Sequence, residues 1–142
     1  MAMPDDAPAG FAPHYRQSPL TDPWEPLFSR QADDAVQLGL RVAPPHTNSR
    51  GLAHGGLISA LADNAMGLSC GLGLTSAGGL VTVNLALDFL TSARVGQWLQ
   101  VEPTVVKRGR RLCFAQALVT ADGKPCARAN ATFQVLETSS QE

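Results

Sequence analysis

The sequence predicts an α+β domain in which one long central helix is wrapped by a curved antiparallel sheet of about five strands. Three observations carry that expectation. Residues 55–70 are apolar on nearly every side, with Leu57, Ile58, Ala60, Leu61, Ala62, Ala65, Met66 and Leu68 in one stretch, and a helix of that kind is buried. One alternating segment precedes the helix and four apolar or alternating segments follow it, the order of an α+β domain. The chain has 142 residues, which bounds it to one domain with a single core. A lone helix this apolar calls for further cover from a second copy of the chain, so a dimer or tetramer is expected.

Taken in order, residues 1–17 are polar, acidic and rich in Pro and Ala, and read as a disordered leader without the hydrophobic segment of a signal peptide. The domain is placed at residues 18–137. Thr21-Asp22-Pro23 is a helix-start signal, and Trp24, Leu27 and Phe28 fall at helical spacing on a short turn. Residues 35–42 alternate, with Val36, Leu38, Leu40 and Val42 on the inner face. Pro44-Pro45 ends that strand, and a loop leads to His54. After the helix, a Gly-rich connection reaches residues 80–90, where Val81, Val83, Leu85, Leu87 and Phe89 share one face. Three strands follow at 97–107, 111–121 and 125–136 in meander-like succession. Asp122-Gly123 marks a tight hairpin turn, and Ala127, Ala129 and Ala131 leave room for the helix against the sheet. Residues 138–142 read as a disordered tail.

Composition excludes several functions. The net charge of −1 gives no basic field for nucleic acid. Cys70, Cys113 and Cys126 are odd in number and widely spaced, which argues against a disulfide framework and fits a reducing cytoplasm. No apolar run is long enough to span a membrane. There is no G-x-S-x-G elbow for a serine hydrolase, and the spacing of His46, His54 and Asp63 matches no metal-ligand pattern.

One residue stands out against this background. From Leu52 to Leu87 the only formal charge is Asp63. A carboxylate in such a helix must be paired, hydrogen-bonded or neutral, which makes it a candidate acid, base or nucleophile. Its neighbours one turn away are small. Gly55 and Gly56 open the helix, where free N–H groups and the positive dipole end suit an oxyanion. The residues alone leave open that Asp63 merely pairs with a distant Arg and that the glycines merely ease packing.

The run His46-x-Asn48-x-x-Gly51-x-x-His54-Gly55-Gly56, followed by Ala60-Leu61-Ala62-Asp63, resembles the signature of hotdog-fold acyl-CoA thioesterases. The nearest type is the phenylacetic-acid-degradation (PaaI-like) branch, related to 4-hydroxybenzoyl-CoA thioesterases. The resemblance extends through Val81-Thr82-Val83-Asn84-Leu85, the Ser92-Ala93 turn and Arg108-Gly109-Arg110. It implies Asp63 as the catalytic carboxylate, the Gly55 N–H as oxyanion donor, Asn48 as a polar orienter, His54 as a residue shaping the site, and Thr82 as a hydroxyl from the neighbouring subunit. Gly56 would contact substrate, and the turn of Lys107, Arg108, Gly109 and Arg110 would hold the CoA phosphates, the alternative being a solvated hairpin. The implied activity is hydrolysis of an aryl or medium-chain acyl-CoA, with no metal or cofactor. The alternative is a non-catalytic module binding acyl-CoA or an acyl-carrier protein. A dehydratase of the same fold would need a His/Asp arrangement absent from the chain.

Overall fold

The computed structural model describes residues 7–74 and 78–137. In these the chain forms β1 (Ala12–Pro13), β2 (Phe28–Ala32), β3 (Ala35–Arg41), helix α1 (Gly55–Gly71), β4 (Leu80–Phe89), β5 (Trp98–Arg108), β6 (Leu112–Ala121) and β7 (Lys124–Val135). The strands make one antiparallel sheet in the order β1-β2-β3-β5-β6-β7-β4. The expected fold class therefore stands, with seven strands instead of about five. Single extra residues at Val83 in β4, Val106 in β5 and Cys126 in β7 break the ladder register, and such bulges bend and twist a sheet into the curve that holds a helix.

The helix lies across the concave face. Leu61, Ala62, Ala65, Met66 and Cys70 are fully buried against Leu38, Leu40, Leu99, Val101 and Val119, each large side chain contributing about 1.5–3 kcal/mol of burial. Ala115, Ala117, Ala127, Ala129 and Ala131 are buried beneath it, so the small inner faces of β6 and β7 let the helix approach as expected. Asp122 and Gly123 both take positive φ, 48° and 82°, and close the β6–β7 hairpin as the Asp-Gly signal requires.

Four expectations are corrected. The stripe Trp24, Leu27, Phe28 is not one helical turn: a 3₁₀ turn spans Asp22–Trp24, Glu25 is extended at ψ 148°, and Phe28 opens β2. Pro26 forces that change, since it disfavours helical geometry in the residue before it. The strands after the helix are not a meander, because β4 pairs with β7 at the far edge while β5 pairs with β3. Residues 7–17 are not a loose leader; β1 pairs with β2, and the Phe11 ring meets Trp98 edge-on at 5.3 Å. Residues 1–6 and 138–142, the rest of the expected disordered ends, lie outside the described residues. Finally, Cys70 and Cys113 are paired as a disulfide with Cα atoms 6.3 Å apart, within the usual range; Cys126 is free and buried. Cysteine usage thus no longer argues for a reducing compartment. No helix of the described residues is long and apolar enough to cross a membrane.

Candidate active site

The helix begins at a built N-terminus. His54 is its N-cap, extended at ψ 135°, and its Nδ1 accepts the Gly56 N–H at 2.7 Å. An accepting Nδ1 leaves the ring proton on Nε2. The Ile58 N–H bonds the His54 carbonyl at 3.1 Å. Gly55, as the first helical residue, has an N–H with no carbonyl four residues back to bond. This end of the helix thus presents an oriented donor at the positive end of the dipole. The Gly56 N–H is taken by the imidazole. A Cβ there would sit 3.0 Å from His54 Nδ1, so that glycine serves the cap.

Asn48 lies on the loop that feeds this end. Its Oδ1 accepts the N–H groups of Arg50 at 2.8 Å and Leu52 at 3.2 Å, an Asx-type turn, and only its amide nitrogen remains to meet a ligand. His46 is structural: Nδ1 accepts the Ala43 N–H and Nε2 bonds the Trp24 carbonyl, both at 2.9 Å.

Asp63 stands two turns along the helix and is half-buried rather than enclosed. The helix face carrying Ser59, Asp63 and Gly67 is only part-buried, with Phe133 of β7 against Gly67 and the chain's own β4 beside Asp63. Thr82 of β4 donates its hydroxyl proton to Asp63 Oδ1 at 2.7 Å. That contact is made within one chain, whereas the resemblance implied a hydroxyl from the neighbouring subunit. The bulge at Val83 makes it possible. It puts Thr82 and Leu85 on the same inward face although they are three residues apart, and leaves Val81 and Val83 exposed. A cavity of about 490 Å³ opens beside the carboxylate, with Asn64 and Thr82 at its polar end and Leu27, Leu80 and Phe133 among its apolar walls.

Gly55 and Asp63 are eight residues apart, which at 1.5 Å rise is about 12 Å along the helix. One carbonyl cannot reach both within one chain. The structure therefore gathers the expected residues into two half-sites, with Gly55, His54 and Asn48 at the helix start and Asp63 with Thr82 further on.

The expected phosphate turn is also divided. Arg108 donates to the carbonyls of Ser69 at 2.7 Å and Cys70 at 3.3 Å and pairs with Asp34 at 3.1 Å. It caps the helix C-terminus, where unpaired carbonyls and the negative dipole end favour a cation. It is therefore not free for phosphate. Lys107 and Arg110 remain exposed on either side of Gly109.

With this geometry in hand, the family is decided by comparison. A profile described as the thioesterase superfamily matches residues 50–127, more than half of the chain. The chain belongs to the thioesterase superfamily. The hydrolase expected from the sequence stands as a thioester hydrolase. A Pseudomonas aeruginosa protein named as a candidate esterase, PA0474, is 40% identical over 131 residues, 92% of this chain and 98% of that one. Human acyl-coenzyme A thioesterase 13 is 33% identical over 98 residues, 66% of this chain and 67% of its own. Among solved structures, a phenylacetic acid degradation-related protein of Ralstonia eutropha superposes with a TM-score of 0.74 at 25% identity, covering 84% of this chain and 92% of that one.

Three features of this candidate site were not expected from the sequence. Asn64 lines the cavity beside Asp63, Phe89 lies over Gly55 with its Cζ 3.3 Å from where a Cβ would be, and residues 14–18 form a cavity wall. Asn64 was legible as the polar neighbour of Asp63. The others come together only through tertiary structure.

Proposed function

We propose that this thioesterase hydrolyses acyl-CoA thioesters of aryl or medium-chain acids, with each site built from two copies of the chain. The observation that carries the reading is the Asp63 carboxylate, held by the Thr82 hydroxyl on the wall of a cavity that also carries Leu27, Leu80 and Phe133. The kinship with an acyl-coenzyme A thioesterase supports CoA as the thiol half.

The second copy follows from strand geometry. β4 is an edge strand with Val81, Val83 and Phe89 exposed at 42%, 52% and 54%. A long apolar edge invites pairing with another strand. Antiparallel pairing of β4 with its own copy, centred near Leu85 and Ala86, sets Thr82 opposite the copy's Phe89. Thr82 marks Asp63 and Phe89 marks Gly55, so Asp63 of one chain meets the Gly55 N–H of the other. The two helices then run antiparallel, and the exposed Lys107 and Arg110 of the second copy lie on the side of the thioester away from the first copy's cavity. There they would receive the CoA phosphates.

In such a site Asp63 takes a proton from water while the water oxygen attacks the thioester carbon, and the Gly55 N–H and helix dipole hold the oxyanion. Collapse expels the CoA thiolate, which recovers the proton from Asp63. Alternatively Asp63 attacks the carbon directly and water opens the resulting anhydride. Single turnover in heavy-oxygen water separates the two, because opening of the anhydride at the Asp63 carbonyl carbon leaves label in the protein. Asp63→Asn keeps the shape and removes the base, so kcat falls by roughly 10²–10⁴-fold while acyl-CoA still binds. Near-normal turnover in that variant overturns the assignment.

A further inference from the structure

We propose that residues 14–18 roof the acyl chamber and set the length of acyl group that the enzyme accepts; this rests on the thioesterase reading with Asp63 at the reacting carbon. The cavity beside Asp63 does not stop at the carboxylate. It follows the helix past Gly67 and Gly71 to Leu72 and Leu74. Asp63, Gly67 and Gly71 recur every fourth residue on one helix face, and from the first to the last is about 12 Å. The floor of this channel is therefore helix backbone, with the Phe133 ring over Gly67 and the Leu80 side chain over Gly71 as walls.

The roof is residues 14–18 together with Thr21. It is short and pinned at both ends. On one side, β1 pairs with β2, the His14 N–H bonds the Leu27 carbonyl at 2.9 Å, and Arg30 lies over Phe11 at 4.4 Å while donating to the Ala9 carbonyl at 2.8 Å. On the other, the Ser18 carbonyl accepts the N–H groups of Thr21 at 3.1 Å and Asp22 at 2.9 Å, and the Ser18 and Thr21 hydroxyls meet at 3.0 Å. A bridge fastened so firmly defines a chamber height. Burial holds His14 below its ordinary value, against the pull of Glu25 and with help from Arg16, so its ring faces an acyl group uncharged near neutral pH. Leu72, Leu74, Leu80 and Phe133 give the channel apolar walls, whereas Arg16 and Gln17 of the roof are polar, so an acyl group would lie along the helix side of the chamber.

Apolar contact along this channel makes acyl length the measured variable, each buried methylene being worth roughly a fourfold gain. The test uses full-length protein and a series of CoA esters from acetyl through octanoyl to palmitoyl. In the native enzyme kcat/KM rises to medium length and falls once the chain meets Leu72 and Leu74. Opening the roof by His14→Gly, Tyr15→Gly and Gln17→Gly together should lower the octanoyl-to-acetyl ratio of kcat/KM at least tenfold. Filling the floor by Gly71→Leu should lower the same ratio, and its Cβ has ordinary space, with Leu80 at 4.0 Å. An unchanged length profile in folded, active variants overturns the roof. So does an equal loss on every ester, which would place the pantetheine arm in the channel. A native chain inactive on every ester would instead overturn the acyl-CoA reading, and this inference with it.

Discussion

Removing the Gly55 N–H without disturbing the helix tests the division of the site between two copies. Gly55→Pro does this. Residue 55 is the first helical position, where proline is favoured because its missing N–H has no helical partner. The preceding His54 is already extended at φ −69° and ψ 135°, the geometry that a following proline demands. A Cβ at residue 55 has the Phe89 ring as its nearest neighbour at 3.3 Å, and Phe89 is an exposed side chain that can turn aside. Loss of one oxyanion donor should lower kcat by roughly 10²–10³-fold, and Asp63→Asn should cost a comparable factor. The two defects lie about 12 Å apart on one helix, yet at one site when helices from two copies meet. Denaturing the variants together and refolding them yields about half mixed pairs. Each mixed pair has one site intact and the other doubly defective, so about a quarter of wild-type activity returns. Thiol release from an acyl-CoA, followed on mixed pairs isolated through two affinity tags, reads the result directly. If tagged mixed pairs form and activity stays at the level of the parents, each site lies within one chain and the reasoning fails.

Arg108→Gln should lower stability by about 1–2 kcal/mol, seen as a fall in melting temperature of a few degrees, and leave KM for acyl-CoA unmoved. A rise in KM at constant stability would return Arg108 to the phosphate site. Lys107→Ala with Arg110→Ala should raise KM for CoA esters with little change in kcat, the mark of uniform binding, and leave a pantetheine thioester unaffected; equal losses on both substrates refute it. Gly39→Ala should cost about 1–3 kcal/mol in denaturant melts, because a Cβ there would run into the Trp98 ring, and a neutral result would mean that Trp98 is free to swing away.

Much of this was legible in the sequence because its signals are local. The helix came from unbroken apolar composition, the β6–β7 turn from two residues that tolerate positive φ, and the catalytic candidate from one charge in a long uncharged stretch. What was not legible depends on contacts far apart in the chain. β1 and β2 are short, with Pro13 ending the first and Pro26 shortly before the second, so no alternation announces them, and their order in the sheet is set by partners that follow the helix. The glycines of the His-Gly-Gly motif look alike in sequence. Only the cap geometry shows that one N–H is consumed by His54 and its neighbour left open.

The bulge at Val83 is where the two levels part most instructively. Strict alternation assigns Val81, Val83, Leu85, Leu87 and Phe89 to one face, which would turn Thr82 away from the helix. One extra residue reverses the phase midway. Leu85 and Leu87 still pack on the core, Phe89 still covers Gly55, and Thr82 now points at Asp63. A regular strand offers either the apolar contacts or the polar one, because its side chains repeat every second residue. The irregularity supplies both, and leaves Val81 and Val83 outward on an unpaired edge. The same residue that the hydrophobic pattern counts as core thus sets the hydroxyl on the carboxylate and leaves apolar surface on the edge where the proposed second copy would pair.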